Sequence, residues 1–312
     1  MKTLLIVNSA ASSVTPRGRV LIQSALSHDH DVTVSETTSR GHATELARAA
    51  VGQGYEAVIV MAGDGTLNEA ANGLVGSDTV LGVVPSGSTN VFARTVGYVN
   101  DPIEATAQLL ESMQANRWHR IGLGKANERY FLFHVGIGFD AAVVQQVERR
   151  AHLKRYAGHP LFAWSAFLTW GRYSAGRKPR FSVTFRTDKE NESSLVEGYF
   201  SICMNSNPYT FAGNRPLNLA PGLTFDKALT IITIRSLSFA TLSGLTVSAL
   251  MSGKYLRNHR HTHVQGDIVE STVEGNGSFP YQLDGDYLGE VESLSLAYQP
   301  DVLNVFMPDY AP

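Results

Sequence analysis

Short apolar runs alternate with stretches of helical spacing over the first third of the chain. Strands are predicted at residues 4–7, 32–35, 58–61 and 81–84. The run at residues 58–61 is continuously apolar, which is typical of a strand buried on both faces. Helices are predicted at residues 16–26 and 41–50, from Thr66, near Asn90 and near Pro102. This alternation predicts a parallel sheet with helices on both faces.

The pattern changes after Arg117, where β-branched and aromatic segments are separated by turn residues. Strands are predicted at residues 130–135, 181–186, 198–204, 229–235, 261–269, 279–283 and 293–297, and helices at residues 141–146, 160–170 and 239–252. We therefore expect an α/β domain with a parallel sheet over residues 1–121, followed by a mainly antiparallel β-sandwich domain over residues 122–299.

Two glycine-rich loops follow neighbouring predicted strands and open helices. The first reads Ala62-Gly63-Asp64-Gly65, and the second reads Pro85-Ser86-Gly87-Ser88-Thr89, with Asn90 predicted to cap the helix after it. Glycine lets a ligand approach the backbone, and the amides of a helix N-terminus bind anions. The pair predicts a phosphate site at the carboxyl ends of the strands. Ser88 stands where a P-loop has lysine, which argues against a Walker-type NTPase.

These residues resemble the diacylglycerol kinase catalytic domain shared by bacterial lipid kinases, eukaryotic diacylglycerol kinases and sphingosine kinases. The resemblance is carried by Gly63-Asp64-Gly65-Thr66-x-Asn68-Glu69, Pro85-x-Gly87-x-x-Asn90, Gly136-x-Gly138-x-Asp140-Ala141 and Leu283-Asp284-Gly285-Asp286. It implies an α/β domain like that of NAD kinase and phosphofructokinase, then a β-sandwich, with the last residues, about 300–312, returning to the first domain.

The resemblance also implies a set of nucleotide contacts. ATP is expected to bind at Asn8, Gly63, Asp64, Gly65, Thr66, Asn68, Glu69, Ser86, Gly87 and Asn90. Phosphoryl transfer depends mainly on positioning and on neutralising charge, usually with Mg²⁺ bridging phosphate oxygens. We therefore expect ATP and Mg²⁺ as cofactors. Of the acidic pair that relatives associate with a structural magnesium, Asp226 remains and is the candidate metal ligand.

The general base is expected at Asp286, the position of the final acid of the family's D-G-E motif. Aspartate there is one methylene shorter than glutamate, and Asp64 is the rival base. A second departure is Val91, where many relatives have aspartate. An alternative reading of Asp284-Gly285-Asp286 is a plain hairpin turn, because Asp-Gly is a favoured turn pair.

A segment rich in basic residues suggests how a lipid is reached. No Asp or Glu occurs between Arg149 and Thr187, and eight basic residues flank an apolar stretch that contains Trp164 and Trp170. Such a segment is typical of a surface that dips into an anionic leaflet. The alternative is a core helix with solvated ends.

Composition limits the remaining possibilities. The chain has 312 residues, 43% hydrophobic and 17% charged, a net charge of −2 and a pI near 6.6, which gives no general attraction to nucleic acid. One cysteine fits a reducing cytoplasm, and a homodimer is possible.

We therefore expect a cytoplasmic, peripherally membrane-associated lipid kinase that converts diacylglycerol to phosphatidic acid. The alternative acceptors are another lipid alcohol, a sphingoid base or NAD. A non-catalytic nucleotide or lipid sensor with the same fold is the alternative of a different class.

Overall fold

The computed structural model describes residues 1–148, 181–187, 194–251 and 259–308. The chain divides into two compact units, residues 1–123 with the residues from Pro300 onward, and residues 124–299. The predicted fold class, a parallel α/β part followed by an antiparallel β part, is confirmed. Among the described residues, the helices are all too short or too polar to cross a membrane.

The first unit alternates strands and helices. Its strands are β1 (Lys2–Val7), β2 (Asp31–Glu36), β3 (Ala57–Ala62) and β4 (Val80–Pro85), followed by the start of β5 (Trp118–Ala126). Its helices are α1 (Pro16–Asp29), α2 (His42–Gly52), α3 (Asp64–Leu74), α4 (Val91–Thr95) and α5 (Pro102–Gln114).

Local sequence explains where two of these helices begin. The Thr15 hydroxyl accepts the Gly18 amide at the start of α1, and the Asp101 carboxylate accepts the amides of Ile103 and Glu104 at the start of α5. Each cap is followed by a proline in the first helical turn, where a missing N–H costs nothing.

The second unit is built mainly from strands. They are β6 (Arg129–Phe131), β7 (His134–Gly138), β8 (Phe181–Thr187), β9 (Ser194–Gly198), β10 (Phe200–Met204), β11 (Thr210–Ala212), β12 (Arg215–Leu217), β13 (Leu229–Ile234), β14 (Thr262–Leu283) and β15 (Asp286–Phe306). Its described helices are α6 (Phe139–Glu148) and α7 (Phe239–Met251). The last residues of β15, from Pro300, belong to the first unit.

The sheet of the first unit is parallel, in the order β2-β1-β3-β4, and the end of β15 pairs beside β4 through Val305 and Leu81. The chain therefore goes to one side of β1 to form β2 and to the other side to form β3. This reversal makes the carboxyl ends of β1 and β3 a topological switch point, where open α/β sheets bind ligands. β1, β3 and β4 are buried on both faces, as the apolar runs predict, whereas β2 at the edge of the sheet is partly exposed.

Strand pairing in the second unit is antiparallel, in the order β13-β10-β7-β14-β15, with β8 and β9 beside β14. A core cluster that includes Phe131, Phe181, Phe279 and Leu294 is formed by residues of these strands and their connections. The lone cysteine, Cys203, is buried in that core.

Four predicted strand segments have the wrong boundaries in this unit. The segments predicted at residues 261–269 and 279–283 are parts of one strand, β14, and the segment at residues 293–297 lies within the 21-residue β15. β14 and β15 stay paired across a register shift between Glu274 and Phe279. The glycines near this shift look like the turn residues that usually separate two strands. The strand predicted at residues 130–135 is instead split between β6 and β7.

Candidate functional site

The carboxyl ends of β1, β3 and β4 lie side by side in the first unit. Val7 is in register with Met61, and Ala62 with Pro85, so Asn8, Gly63 and Ser86 follow three adjacent strands. The Asn8 side-chain amide donates to the Thr66 hydroxyl at 2.9 Å and joins the end of β1 to the first turn of α3. The sheet therefore brings together the loop residues that the sequence predicts as nucleotide contacts.

The two glycine loops touch backbone to backbone. A Cβ atom on Gly87 would lie 2.7 Å from the Cα of Gly63, and a Cβ atom on Gly63 would lie 3.2 Å from the Cα of Gly87. Real Cβ atoms do not approach a backbone atom at the shorter distance. Glycine at these positions is therefore required for the loops to meet, as well as for a ligand to approach.

Asp64 caps the helix that follows the second loop. One of its carboxylate oxygens accepts the Val91 amide at 2.9 Å and the other accepts the Phe92 amide at 3.1 Å. Asn90 is the N-cap residue of α4, as predicted, but its side chain makes no capping hydrogen bond there. Asp64 thus links the loop after β3 to the loop after β4.

Asn90 stabilises the second loop instead. It adopts a left-handed conformation with φ of 53°, and its side-chain oxygen accepts the Gly87 amide at 2.7 Å. Its side-chain nitrogen donates to the Gly87 carbonyl at 3.0 Å and to the Asn100 side chain at 2.7 Å. Asn90 therefore shapes the loop, and Asn100 is a partner that the sequence did not indicate.

The first turn of α3 is suited to an anion. Its N-cap residue, Gly63, supplies no side-chain cap, so the helix presents backbone amides and the positive end of its dipole. Arg94 adds a cation near Asp64. Partial burial lowers the pKa of Arg94, and the charge of Asp64 acts in the opposite direction.

Two other predicted contacts lie further along α3. Asn68 is fully buried, and its backbone and side-chain oxygens accept the Asn72 side-chain amide. Glu69 is partly exposed, and its carbonyl accepts the Thr44 hydroxyl from α2. Ser86 is also buried, with its hydroxyl donating to the Val84 carbonyl at 3.1 Å.

In the second unit, Asp284 and Gly285 form the turn between β14 and β15. Both have positive φ, 50° and 85°, as a tight hairpin turn requires. The buried Asp284 carboxylate accepts three backbone amides at 2.7 to 3.0 Å, from Leu132, Phe133 and His134. These hydrogen bonds explain why the chain breaks between β6 and β7, where the sequence predicts one strand.

Asp286 is the first residue of β15, directly after this turn. Its side chain is 29% exposed and lies 3.6 Å from Nη2 of Arg129, whose side chain is 27% exposed. A carboxylate that is reachable and held beside a cation suits the predicted role of base. Arg129 was not identified from the sequence, because nothing in its local pattern distinguishes it from a surface arginine.

A buried polar group lies behind the same turn. Gln282 is fully buried and contacts both Asp140 and the Gly285 amide, and Asp140 also accepts the Tyr209 hydroxyl. Gln282 and Tyr209 were also missed from the sequence. The position of Gln282, two residues before Asp284 in a family motif, is the signal that could have identified it.

Two predictions stay as predictions. Asp226 is exposed, and within the described residues no cluster of three or more His, Cys, Asp or Glu side chains could hold a metal ion. A single exposed carboxylate does not form a protein-built Mg²⁺ site. The predicted lipid-facing segment, with Trp164 and Trp170, lies outside the described residues.

The chain is similar to known kinases in sequence. Residues 2–125 match the model of the diacylglycerol kinase catalytic domain. A Chromohalobacter salexigens protein named "Probable lipid kinase YegS-like" is 31% identical over 175 residues, which cover 55% of this chain and 54% of the relative. This chain therefore aligns with about half the length of that relative. A diacylglycerol kinase of Staphylococcus carnosus is 24% identical over 82% of this chain and 78% of its own length.

Solved structures share the fold. A diacylglycerol kinase from Bacillus anthracis superposes with a TM-score of 0.71 at 18% identity, covering 99% of this chain and 97% of its own. An NAD kinase from Archaeoglobus fulgidus in complex with ATP gives a TM-score of 0.53 at 11% identity, covering 99% and 94%. The sequence match to the diacylglycerol kinase catalytic domain thus covers residues 2–125, the segment that contains both glycine loops.

Proposed function

We propose that this protein is an ATP- and Mg²⁺-dependent lipid kinase that transfers the γ-phosphate to a lipid hydroxyl, with diacylglycerol as the acceptor and phosphatidic acid as the product. The observation that carries the proposal is the alignment of two glycine loops at the carboxyl ends of β3 and β4 within a segment that matches the diacylglycerol kinase catalytic domain.

The first unit would bind the triphosphate. The amides at the start of α3 and the glycine backbone of both loops face the edge where β1, β3 and β4 end, which suits phosphate oxygens. Arg94 adds positive charge near Asp64. Mg²⁺ would arrive with the triphosphate and neutralise part of its charge.

The second unit would supply the base. Both oxygens of Asp64 accept backbone amides of α4, and this use favours a structural role for that carboxylate. Asp286 is partly exposed beside Arg129. We therefore assign to Asp286 the acceptance of the hydroxyl proton, while the hydroxyl oxygen attacks the γ-phosphorus and ADP leaves.

Membrane contact is part of the proposal and rests on sequence. The basic segment with Trp164 and Trp170 would dock on an anionic leaflet at the inner membrane surface and give the site access to a lipid.

The test is transfer of label from γ-labelled ATP, with Mg²⁺ and mixed vesicles that contain diacylglycerol. We expect labelled phosphatidic acid. We expect Asp286→Asn to lower the transfer rate at least about hundredfold and to leave ATP affinity unchanged. ATP binding without transfer to any lipid would favour a nucleotide sensor, and phosphorylation of NAD in place of lipid would favour an NAD kinase.

A further inference from the structure

A chain of three hydrogen bonds runs through the interior of the second unit to the turn that carries Asp286. Gln282 is fully buried, and its side-chain nitrogen donates to Oδ2 of Asp140 at 2.7 Å. Its side-chain oxygen accepts the Gly285 amide at 2.8 Å. The Tyr209 hydroxyl donates to Oδ1 of Asp140 at 2.7 Å.

The partners fix which way the Gln282 amide points. Asp140 is buried, and a buried ionised carboxylate is costly unless donors surround it. Burial raises the pKa of Asp140, and the hydrogen bonds from Tyr209 and Gln282 act in the opposite direction. The nitrogen of Gln282 therefore faces Asp140, and its oxygen faces Gly285.

The backbone leaves room for this contact at one position. A Cβ atom on Gly136 would lie 1.7 Å from Oδ2 of Asp140 and 2.5 Å from the side-chain nitrogen of Gln282. Gly136 and Gln282 are opposite each other in the pairing of β7 with β14. Glycine at 136 therefore makes the space in which the carboxylate and the amide meet.

Side chains hold the backbone of this turn from both sides. Asp284 has φ of 50°, a left-handed conformation that few residue types other than glycine, asparagine and aspartate adopt. The Asp284 carboxylate holds the turn from one side through the amides of Leu132, Phe133 and His134. The Gln282 side chain holds it from the other side through Gly285.

We propose that Gln282 is a positioning residue for phosphoryl transfer, anchored on Asp140 and holding the Gly285 amide so that the next residue, Asp286, keeps the placement a base requires. The inference rests on the proposed function, because it assigns a reason for the geometry of that base. The inference predicts that kcat depends on which group donates and which accepts in each hydrogen bond, in addition to the volume of the side chains.

An exchange of the two groups tests the orientation. Gln282→Glu alone places two carboxylates at the 2.7 Å contact, where both cannot stay ionised. Asp140→Asn alone leaves one acceptor oxygen at position 140 for two donors, the Gln282 nitrogen and the Tyr209 hydroxyl. In the double variant, the amide introduced at position 140 can donate to the carboxylate introduced at position 282. That carboxylate can still accept the Gly285 amide, and the Tyr209 hydroxyl can donate to the amide oxygen at position 140, so every hydrogen bond is restored.

We expect each single variant to lower kcat for lipid phosphorylation by about tenfold to a hundredfold, since small displacements of a base are costly. The KM for ATP should stay within about twofold, because the nucleotide loops belong to the first unit. We expect the double variant to recover most of the lost kcat. Thr233→Val is the matched control, since it removes a different buried hydrogen bond of the second unit, that between Thr233 and Ser201 at 2.9 Å, and should leave kcat unchanged.

A second readout does not depend on turnover. Exchange of the Gly285 amide hydrogen with solvent, followed by NMR with ¹⁵N-glycine labelling, should be at least tenfold faster in Gln282→Leu than in the natural sequence. If the natural sequence is active, a normal kcat in Gln282→Glu would overturn the inference. A double variant that does not recover the lost kcat would also overturn it. If the natural sequence phosphorylates no lipid, the proposed function fails, and unchanged Gly285 exchange in Gln282→Leu would refute the anchoring separately.

Discussion

The carboxylate of Asp64 accepts the backbone amide of Val91 at 2.9 Å, so the loop after β3 caps the helix after β4. The Val91 backbone makes this contact, so it does not depend on the Val91 side chain. The glycine pair Gly63 and Gly87 brings the same two loops together. The loops after β3 and β4 are therefore held together, and a change in one should alter the other.

Asp64→Asn should weaken the link between the two loops without removing it. An asparagine side chain has one oxygen to accept the two α4 amides that Asp64 now binds, so we expect a loss of about 1 kcal/mol in the free energy of unfolding, with weaker ATP binding. Calorimetry with ATP and thermal denaturation measure both. Loss of transfer with normal ATP affinity and stability would instead make Asp64 the base and remove Asp286 from that role.

Gly87→Ala should disrupt ATP binding. The added Cβ would lie 2.7 Å from the Gly63 Cα, and neither backbone can move without shifting its loop. We expect at least tenfold weaker ATP affinity and a lower melting temperature. Gly52→Ala is the matched control, because its Cβ meets nothing within 4 Å, and alanine in a helix is favoured by roughly 0.5 to 1 kcal/mol over glycine. Equal ATP affinity for the two variants would contradict the packing argument.

His134 should make stability depend on pH. Burial lowers the pKa of His134 from its ordinary 6.5 to about 3. Below about pH 6.5 the unfolded chain binds a proton that the folded chain does not, so stability falls as pH falls towards 3, by up to about 1.4 kcal/mol per pH unit from this group. Urea denaturation at pH 7.5 and pH 5.0 measures the difference.

The matched variant is His134→Phe, which keeps an aromatic ring beside Tyr209 and Phe133 and has no proton to gain. Its stability should change less between the two pH values than that of the natural sequence. The same change with pH in both proteins would show that His134 is not the group responsible.

Tryptophans in the basic segment should govern membrane binding. Replacing Trp164 and Trp170 with alanine should weaken binding to anionic vesicles at least about tenfold, because aromatic rings favour the membrane interface, and should leave ATP affinity unchanged. Trp118→Ala provides the comparison, since Trp118 is 39% exposed in the first unit. Co-sedimentation with vesicles gives the result, and undiminished binding by the double variant would remove the docking role.

Sequence patterns were sufficient for the parallel half of the fold. Continuous apolar runs are unambiguous when strands such as β3 and β4 are buried on both faces. The same patterns failed for β14 and β15, because these long strands pass through glycines and polar positions that look like turns. Pairing with several partners keeps them extended, and a local pattern does not contain that information.

The candidate site was predictable where a motif is contiguous. The loops at Gly63 and Gly87 could be read from adjacent residues, whereas the Gln282 contact with Asp140 joins residues 142 positions apart. The break between β6 and β7 has a similar cause, since the Asp284 carboxylate that occupies its amides lies about 150 residues later. Long-range hydrogen bonds of this kind override local strand preference.

The last strand of the first unit is the end of β15, so it is synthesised after the second unit. Leu303, Val305 and Phe306 are fully buried there, Val305 pairs with Leu81, and the Phe306 carbonyl accepts the Tyr98 hydroxyl at 2.9 Å. A ribosome translates these residues after the whole second unit, so the first unit completes its sheet only once the second unit has been made. The usual N-terminal-first order of folding during translation is therefore reversed for the final step in this protein.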